Sequence, residues 1–309
     1  MKHRVRGKMK QEYINIFLAV LIAGLVIWLM PFMLPMSQSQ TYTHEATVNT
    51  TVNITNSAPI VNVVKLLDPI VLTAYDTTII DCNVTVYDYD NDTVTLNATL
   101  HYYNTDVDAA DDDNNQYTNI SCTLIDDTVD TIRKFRCTFP VEYFANNGTW
   151  YCNATALDDD NAHSSNDSIG STLQPLVAIY VPGIIDYGDL AQGETSGDIG
   201  KNITNVGNRD INISVEGWGA VQDDGWAMNC TFGHIEDQWE RYNVSTGSGY
   251  DDMLQIDTNL NLINGFGVTR RLDDAQESYN TTYWKLQVPV GAGGVCNGKV
   301  LFSASDAGP

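Results

Sequence analysis

Positive charge is scarce in this sequence. Of 309 residues, 16 are Lys or Arg against 39 Asp or Glu, a formal net charge of -23. A surface of that sign repels phosphodiester backbones, which excludes nucleic acid as a partner. The bases are also unevenly placed: Lys2, Arg4, Arg6, Lys8 and Lys10 crowd the first ten residues.

Histidine is scarce too, with five residues. There is no Gly-x-Ser-x-Gly, no His-Glu-x-x-His and no phosphate loop, since Gly291-Ala-Gly-Gly294 reads as a turn between strands. No Cys-x-x-Cys occurs, which leaves zinc ribbons and thioredoxin-type redox sites without support. His234-Ile-Glu236 is the one spacing that sets two metal-ligating groups on a strand face, and a solvated surface pair is its simpler reading. Nothing singles out a carboxylate pair for glycoside hydrolysis. After residue 36 no segment holds a helical period beyond two turns. These absences point to a non-enzymatic β protein without catalytic residues.

One long apolar run is present, residues 14–36, long enough to cross a bilayer as a helix. The basic cluster before it places the first residues in the cytoplasm and all that follows outside. A cleaved signal sequence is the alternative, with Ser37 and Ser39 as small residues before a cut at Gln40. The expected order is a basic head (1–12), an anchor or signal (13–36), a polar stalk (37–56) and two domains (57–175 and 176–309), the second with an insertion at about 216–282.

Asn-x-Ser/Thr occurs at Asn49, Asn53, Asn83, Asn91, Asn97, Asn119, Asn147, Asn153, Asn166, Asn202, Asn212, Asn229, Asn243 and Asn280, all after the apolar run. Chance pairing of 28 asparagines with the Ser and Thr content gives roughly 4 such triplets. Asparagine is depleted in strands, so the excess asks for a cause, and N-glycan attachment supplies one. In nine triplets the middle residue is apolar: Ile54, Val84, Ala98, Ile120, Ala154, Ile203, Ile213, Cys230 and Val244. Strand side chains alternate faces, so each of these is expected inward with its Asn facing solvent.

Strand patterns recur at 59–67, 78–87, 93–103, 117–125, 131–139, 149–157 and 168–174, each ending in turn residues. About seven short strands call for an antiparallel immunoglobulin-like sandwich. In that architecture Cys82 and Cys152 join opposite sheets. Cys122 and Cys137 face each other about an Asp126–Asp130 turn, and Cys230 and Cys296 remain to pair. Outside the cell these should be disulfides.

Asn56-Ser-Ala-Pro59, Tyr87-Asp-Tyr-Asp90 and Trp150-Tyr-Cys-Asn-Ala-Thr-Ala-Leu-Asp-Asp159 resemble immunoglobulin-like domains of the polycystic-kidney-disease and cadherin-like kind. Ile184-Ile-Asp-Tyr-Gly-Asp-Leu-Ala-Gln-Gly193 and Lys201-Asn-Ile-Thr-Asn-Val-Gly-Asn208 are similar to abnormal-spindle and hydin-type domains, with Gly207-Asn208 as a turn tolerant of positive φ. The layout resembles that of surface proteins of small archaea.

Asp88, Asp90, Asn91 and Asp92 follow one strand and Asp158, Asp159, Asp160 and Asn161 another, while Asn56 enters at the same pole. Clustered Asp and Asn oxygens suit calcium, and Asp88, Asp90, Asp92, Asp158 and Asp160 are the candidate ligands. The plainer reading is ordinary turn formation. The run Asp106–Asn115 is expected as a solvated loop at the opposite pole. Four tryptophans after residue 217 either fill a core or form a sugar-stacking platform.

The expected function is a structural or adhesive one at the cell surface, with a protein or glycan partner. The alternatives are a carbohydrate-binding module and a filament subunit. Gly7 and Glu12 are spaced as at a type IV pilin processing site, although residues 8–11 are too polar for that pattern.

Overall fold

The computed structural model describes residues 47–308, apart from 168–169 and 273–275. The expected basic head, membrane helix and most of the stalk lie outside the described residues. The described residues from Ile54 onward form one compact unit. Among the described residues no helix is long and apolar enough to cross a membrane. The fold is all-β, with antiparallel sheets.

Nine strands form the first half: β1 (Ile60–Leu66), β2 (Thr78–Tyr87), β3 (Thr95–Tyr102), β4 (Gln116–Asn119), β5 (Thr123–Val129), β6 (Ile132–Val141), β7 (Gly148–Leu157), β8 (His163–Asp167) and β9 (Ser171–Leu173). One sheet runs β1-β2-β6-β5 and the other β4-β3-β7-β8, with β9 on β7. Alternation drives the packing. Ile80, Cys82, Val84 and Val86 of β2 face Trp150, Cys152, Ala154 and Ala156 of β7 across one core, all buried. Each large side chain so buried stabilises by about 1.5–3 kcal/mol.

Cys82–Cys152 crosses the core and Cys122–Cys137 ties the residue just before β5 to β6; both pairs are as expected. By chain-entropy arguments these stabilise by about 4 and about 3 kcal/mol. The strand expected at 117–125 is instead two. β4 ends at Asn119, and Ile120–Cys122 carries the chain from one sheet to the other, with Ile120 exposed. Asp126 consequently lies within β5, and the β5–β6 turn is formed by Asp130 and Thr131.

The second half contains β10 (Ile179–Tyr180), β11 (Ile199–Asn205), β12 (Ile211–Trp218), β13 (Trp226–Phe232), β14 (His234–Glu236), β15 (Glu240–Asn243), β16 (Leu254–Gln255), β17 (Asn261–Val268), β18 (Tyr279–Leu286), β19 (Gly293–Asn297) and β20 (Lys299–Asp306). Its sheets run β10-β11-β18-β15-β16, β17-β12-β20 and β14-β13-β19. Residues 216–282 supply β15 and β16 to the five-stranded sheet and β17 to the sheet of β12 and β20, so they are woven into the half. Cys230 and Cys296 are cross-strand neighbours and are bonded.

A third small cluster, Tyr143, Phe144 and Val206 with Leu176 and Ala178, joins the halves. Tyr75 stacks on Tyr180 at 5.5 Å and donates its hydroxyl to Glu277 at 2.7 Å. Asn114, expected in a solvated loop, is buried and donates to the Phe144 carbonyl at 2.9 Å. Gly207-Asn208 also differs from expectation, since neither residue has positive φ. Glycine is required at 207 for space. A Cβ there would lie 2.2 Å from the Leu176 carbonyl oxygen.

Candidate metal centre at the acidic pole

Asp88 continues the inward row of β2, two residues beyond Val86, and Asp158 continues that of β7, two beyond Ala156. Strand alternation therefore drives both carboxylates inward where the apolar core ends. Both are buried, at 0% and 4% exposure. Unpaired, such groups cost several kcal/mol, so their partners decide what the pole is.

Asp88 Oδ2 accepts from Arg133 at 3.0 Å, and the same guanidinium donates to Asn91 Oδ1 at 3.1 Å. The Asp88 amide donates to the Thr131 carbonyl at 3.0 Å, which brings the β5–β6 turn to this end. Asp158 Oδ1 accepts from the Ala162 amide at 2.7 Å, and Asp90 accepts from the Ser57 amide. These bonds realise the turn-forming role of Asp and Asn, and Asn91 and Asn161 both hold positive φ.

They do not use every oxygen. Asn56 Oδ1, Asp88 Oδ1, Asp90 Oδ1 and Asp158 Oδ2 are buried without a hydrogen-bond partner. Burial pushes the Asp88 carboxyl up to about 6, helped by the hydrogen bond that its protonated form gives the neighbouring Asp90 carboxylate, which holds Asp90 low; with both ionised no such bond exists. Asp92 is raised, first by desolvation and then by the charges of Asp90, Asp159, Asp160 and Asp158. Asp92 is half-buried and Asp160 exposed. Among the described residues no three His, Cys, Asp or Glu side chains are already closed around a common point. The donor set of hard carboxylate and amide oxygens nonetheless fits calcium, and four of its oxygens lack any other partner. Arg133 is the pole residue that was not singled out from the sequence.

Of the nine apolar middle residues of the glycosylation triplets, Val84, Ala98, Ala154, Ile203 and Ile213 are buried. Ile54, Ile120 and Val244 are exposed instead, and Cys230 is half-buried: Ile54 lies in no strand, Ile120 and Val244 directly follow one, and Cys230 lies at a register shift. Asn83 and Asn97 are exposed as expected. Asn153 is not: it is half-buried and its Oδ1 is enclosed, with β8 and β3 flanking its strand on either side. Of the four tryptophans only Trp284 is fully buried in the core; Trp226 stacks on His234 at 4.3 Å.

No protein-family model and no curated protein matches the chain. Among solved structures it is similar to the CsuC–CsuE chaperone–tip adhesion subunit complex of Csu pili from Acinetobacter baumannii, at 8% identity and a TM-score of 0.37, covering 78% of this chain and 99% of that one. It is also similar to the C-terminal domain of the AgI/II polypeptide BspA of Streptococcus agalactiae, at 8% identity and a TM-score of 0.25, covering 80% and 96%. Likenesses this loose assign neither a fold family nor a function.

Proposed function

We propose that the chain is an exported, N-glycosylated cell-surface protein of structural or adhesive duty, without enzymatic activity. It is held by its N-terminal apolar segment and built as two immunoglobulin-like halves. The observation that carries this reading is the partition of its side chains. All six cysteines are bonded, while Asn83, Asn97 and Asn202 stand exposed on strands beside the buried Val84, Ala98 and Ile203. A thiol-reducing compartment would not sustain the first feature, and glycans suit the second.

Calcium at the acidic pole belongs to the same reading. Asp88, Asp90, Asp158 and Asn56 supply the enclosed oxygens, and Asp92 and Asp160 stand at the rim as further donors. The ion would neutralise carboxylates that folding forces together and stiffen the entry from the stalk.

Mass spectrometry of the native protein extracted from cells tests the main claim. It should show glycans on several of the fourteen asparagines and no free thiol. Unmodified asparagines together with reduced cysteines in native material would sink the reading.

A further inference from the structure

The second core is less complete than the first. The first has 25 buried apolar residues with two more half-buried against it; the second has 14 with 13 half-buried. Much of that shortfall lies on one side. Ile179, Val181, Ile185, Met228, Val300 and Phe302 line a cavity of about 460 Å³, which Lys201, Glu240 and Asn297 also border. It shares Ile184, Ile185, Met228, Cys296 and Asn297 with a second cavity of about 590 Å³, so the two form one groove.

One wall of the groove is an open sheet edge. Among the described residues β20 pairs only with β12, and β10 only with β11, so each ends its sheet. The inward row of β20, Val300, Phe302 and Ala304, is half-buried. An edge strand beside an unfinished core is a template for one more strand.

The chain also carries a strand pattern that pairs with none of the described residues. Residues 48–55 read Val-Asn-Thr-Thr-Val-Asn-Ile-Thr, so Val48, Thr50, Val52 and Ile54 share one face and Asn49, Thr51, Asn53 and Thr55 the other. These residues form no strand, and Val48, Val52 and Ile54 are 82%, 85% and 72% exposed. Extended, the seven residues from Val48 to Ile54 span about 23 Å, close to the run of the eight-residue β20. No charged side chain occurs from residue 46 to 64, so nothing in this stretch is repelled by a chain of net charge -23.

We propose that Val48–Ile54 of one copy docks along the free edge of β20 in a second copy. Val48, Val52 and Ile54 complete the second core, and Asn49 and Asn53, with any glycan, remain on the wet face. The two surfaces differ, so the contact is heterologous and propagates copy to copy into an open chain. The proposal goes beyond the surface reading above and does not depend on calcium.

The test uses the full chain in detergent, with a photo-crosslinking amino acid in place of Val52, mixed with an isotope-labelled copy. Irradiation should yield interchain products mapping to residues 179–185 or 299–306, and excess synthetic peptide Thr47–Asn56 should suppress them. Val52→Asp, at an exposed position, should leave the melting curve in place at concentrations where the protein is monomeric, and weaken self-association at least tenfold in sedimentation. Products confined to single chains would show that the groove takes its own strand and overturn the proposal. A protein that stays monomeric at tens of micromolar and gives no product would overturn it too.

Discussion

The guanidinium of Arg133 lies 3.0 Å from the fully buried carboxylate of Asp88. It serves one oxygen and leaves Oδ1 without a partner. The pole is thus half compensated by the protein itself, and the other half is where an added cation acts.

Replacing Arg133 by Ala leaves a buried carboxylate unpaired and should cost about 3 kcal/mol in stability. Calcium should raise the melting temperature of the unmodified protein through binding linkage, and raise it more in the Arg133→Ala variant. Asp88→Asn combined with Asp158→Asn should abolish the rise. A melting curve indifferent to calcium in both the unmodified and Arg133→Ala proteins would reduce the pole to a set of turns.

Glycan occupancy should follow what each asparagine nitrogen already does. Nδ2 of Asn119 donates to the Thr138 carbonyl and that of Asn166 to the Val61 carbonyl, both at 3.0 Å. A glycan on either takes one of the two hydrogens of that nitrogen and crowds a bond between chain segments. Among the described residues Asn83 and Asn97 make no such bond to the backbone, and both hold exposed strand positions. Site-resolved glycopeptide analysis should therefore find higher occupancy at Asn83 and Asn97 than at Asn119 and Asn166. The reverse order would mean that folded-state geometry does not govern attachment.

Glu240 provides a pH test away from the pole. It is buried, and burial pushes its carboxyl up to about 7, against the opposing hydrogen bond from the Tyr187 hydroxyl at 2.6 Å. Between the ordinary glutamate range and pH 7 the folded state therefore holds a proton that the unfolded state has lost. Stability falls as pH rises through that window and levels off above it. The loss is on the order of 3 kcal/mol. Glu240→Gln keeps an acceptor for Tyr187 and removes the titration. Its melting temperature should match the unmodified protein near pH 4 and exceed it at pH 8. Equal pH profiles for the two proteins would contradict the assignment.

The parts legible in the sequence were those fixed by alternation. Cys82 and Cys152 lie in long alternating strands, and their place in the core followed from pattern alone. Arg133 was legible by the same rule, since it shares the parity of Phe135, Cys137 and Phe139, all buried. An arginine on an inward row implies a buried acid, and Asp88 sits on the inward row of the next strand. What pattern does not carry is where a strand leaves its sheet. Ile120 looks inward by alternation and is 84% exposed because the chain there changes sheets. Gly207 failed for a related reason: the need for glycine comes from Leu176, a residue 31 positions away in sequence and on the other side of a carbonyl contact.

That contact supplies the last prediction. Leu176 donates its amide to Asn208 Oδ1 at 2.7 Å, Asn208 Nδ2 donates to the Gln174 carbonyl at 3.2 Å, and Gly207 closes against the Leu176 carbonyl. The segment leaving the first half is thereby fastened to the β11–β12 turn of the second. Gly207→Ala forces that turn away and should cost about 2 kcal/mol or more, as overpacking does. Gly197→Ala is the control, because its φ is not positive and a Cβ there meets nothing within 4 Å. It should be neutral or stabilising by about 0.5 kcal/mol through the unfolded state. Calorimetry should show one cooperative transition for the unmodified Ile54–Pro309 unit, and for Gly207→Ala a lower transition that separates into two. If Gly207→Ala melts like Gly197→Ala, the junction is not the fastening that makes the halves one unit.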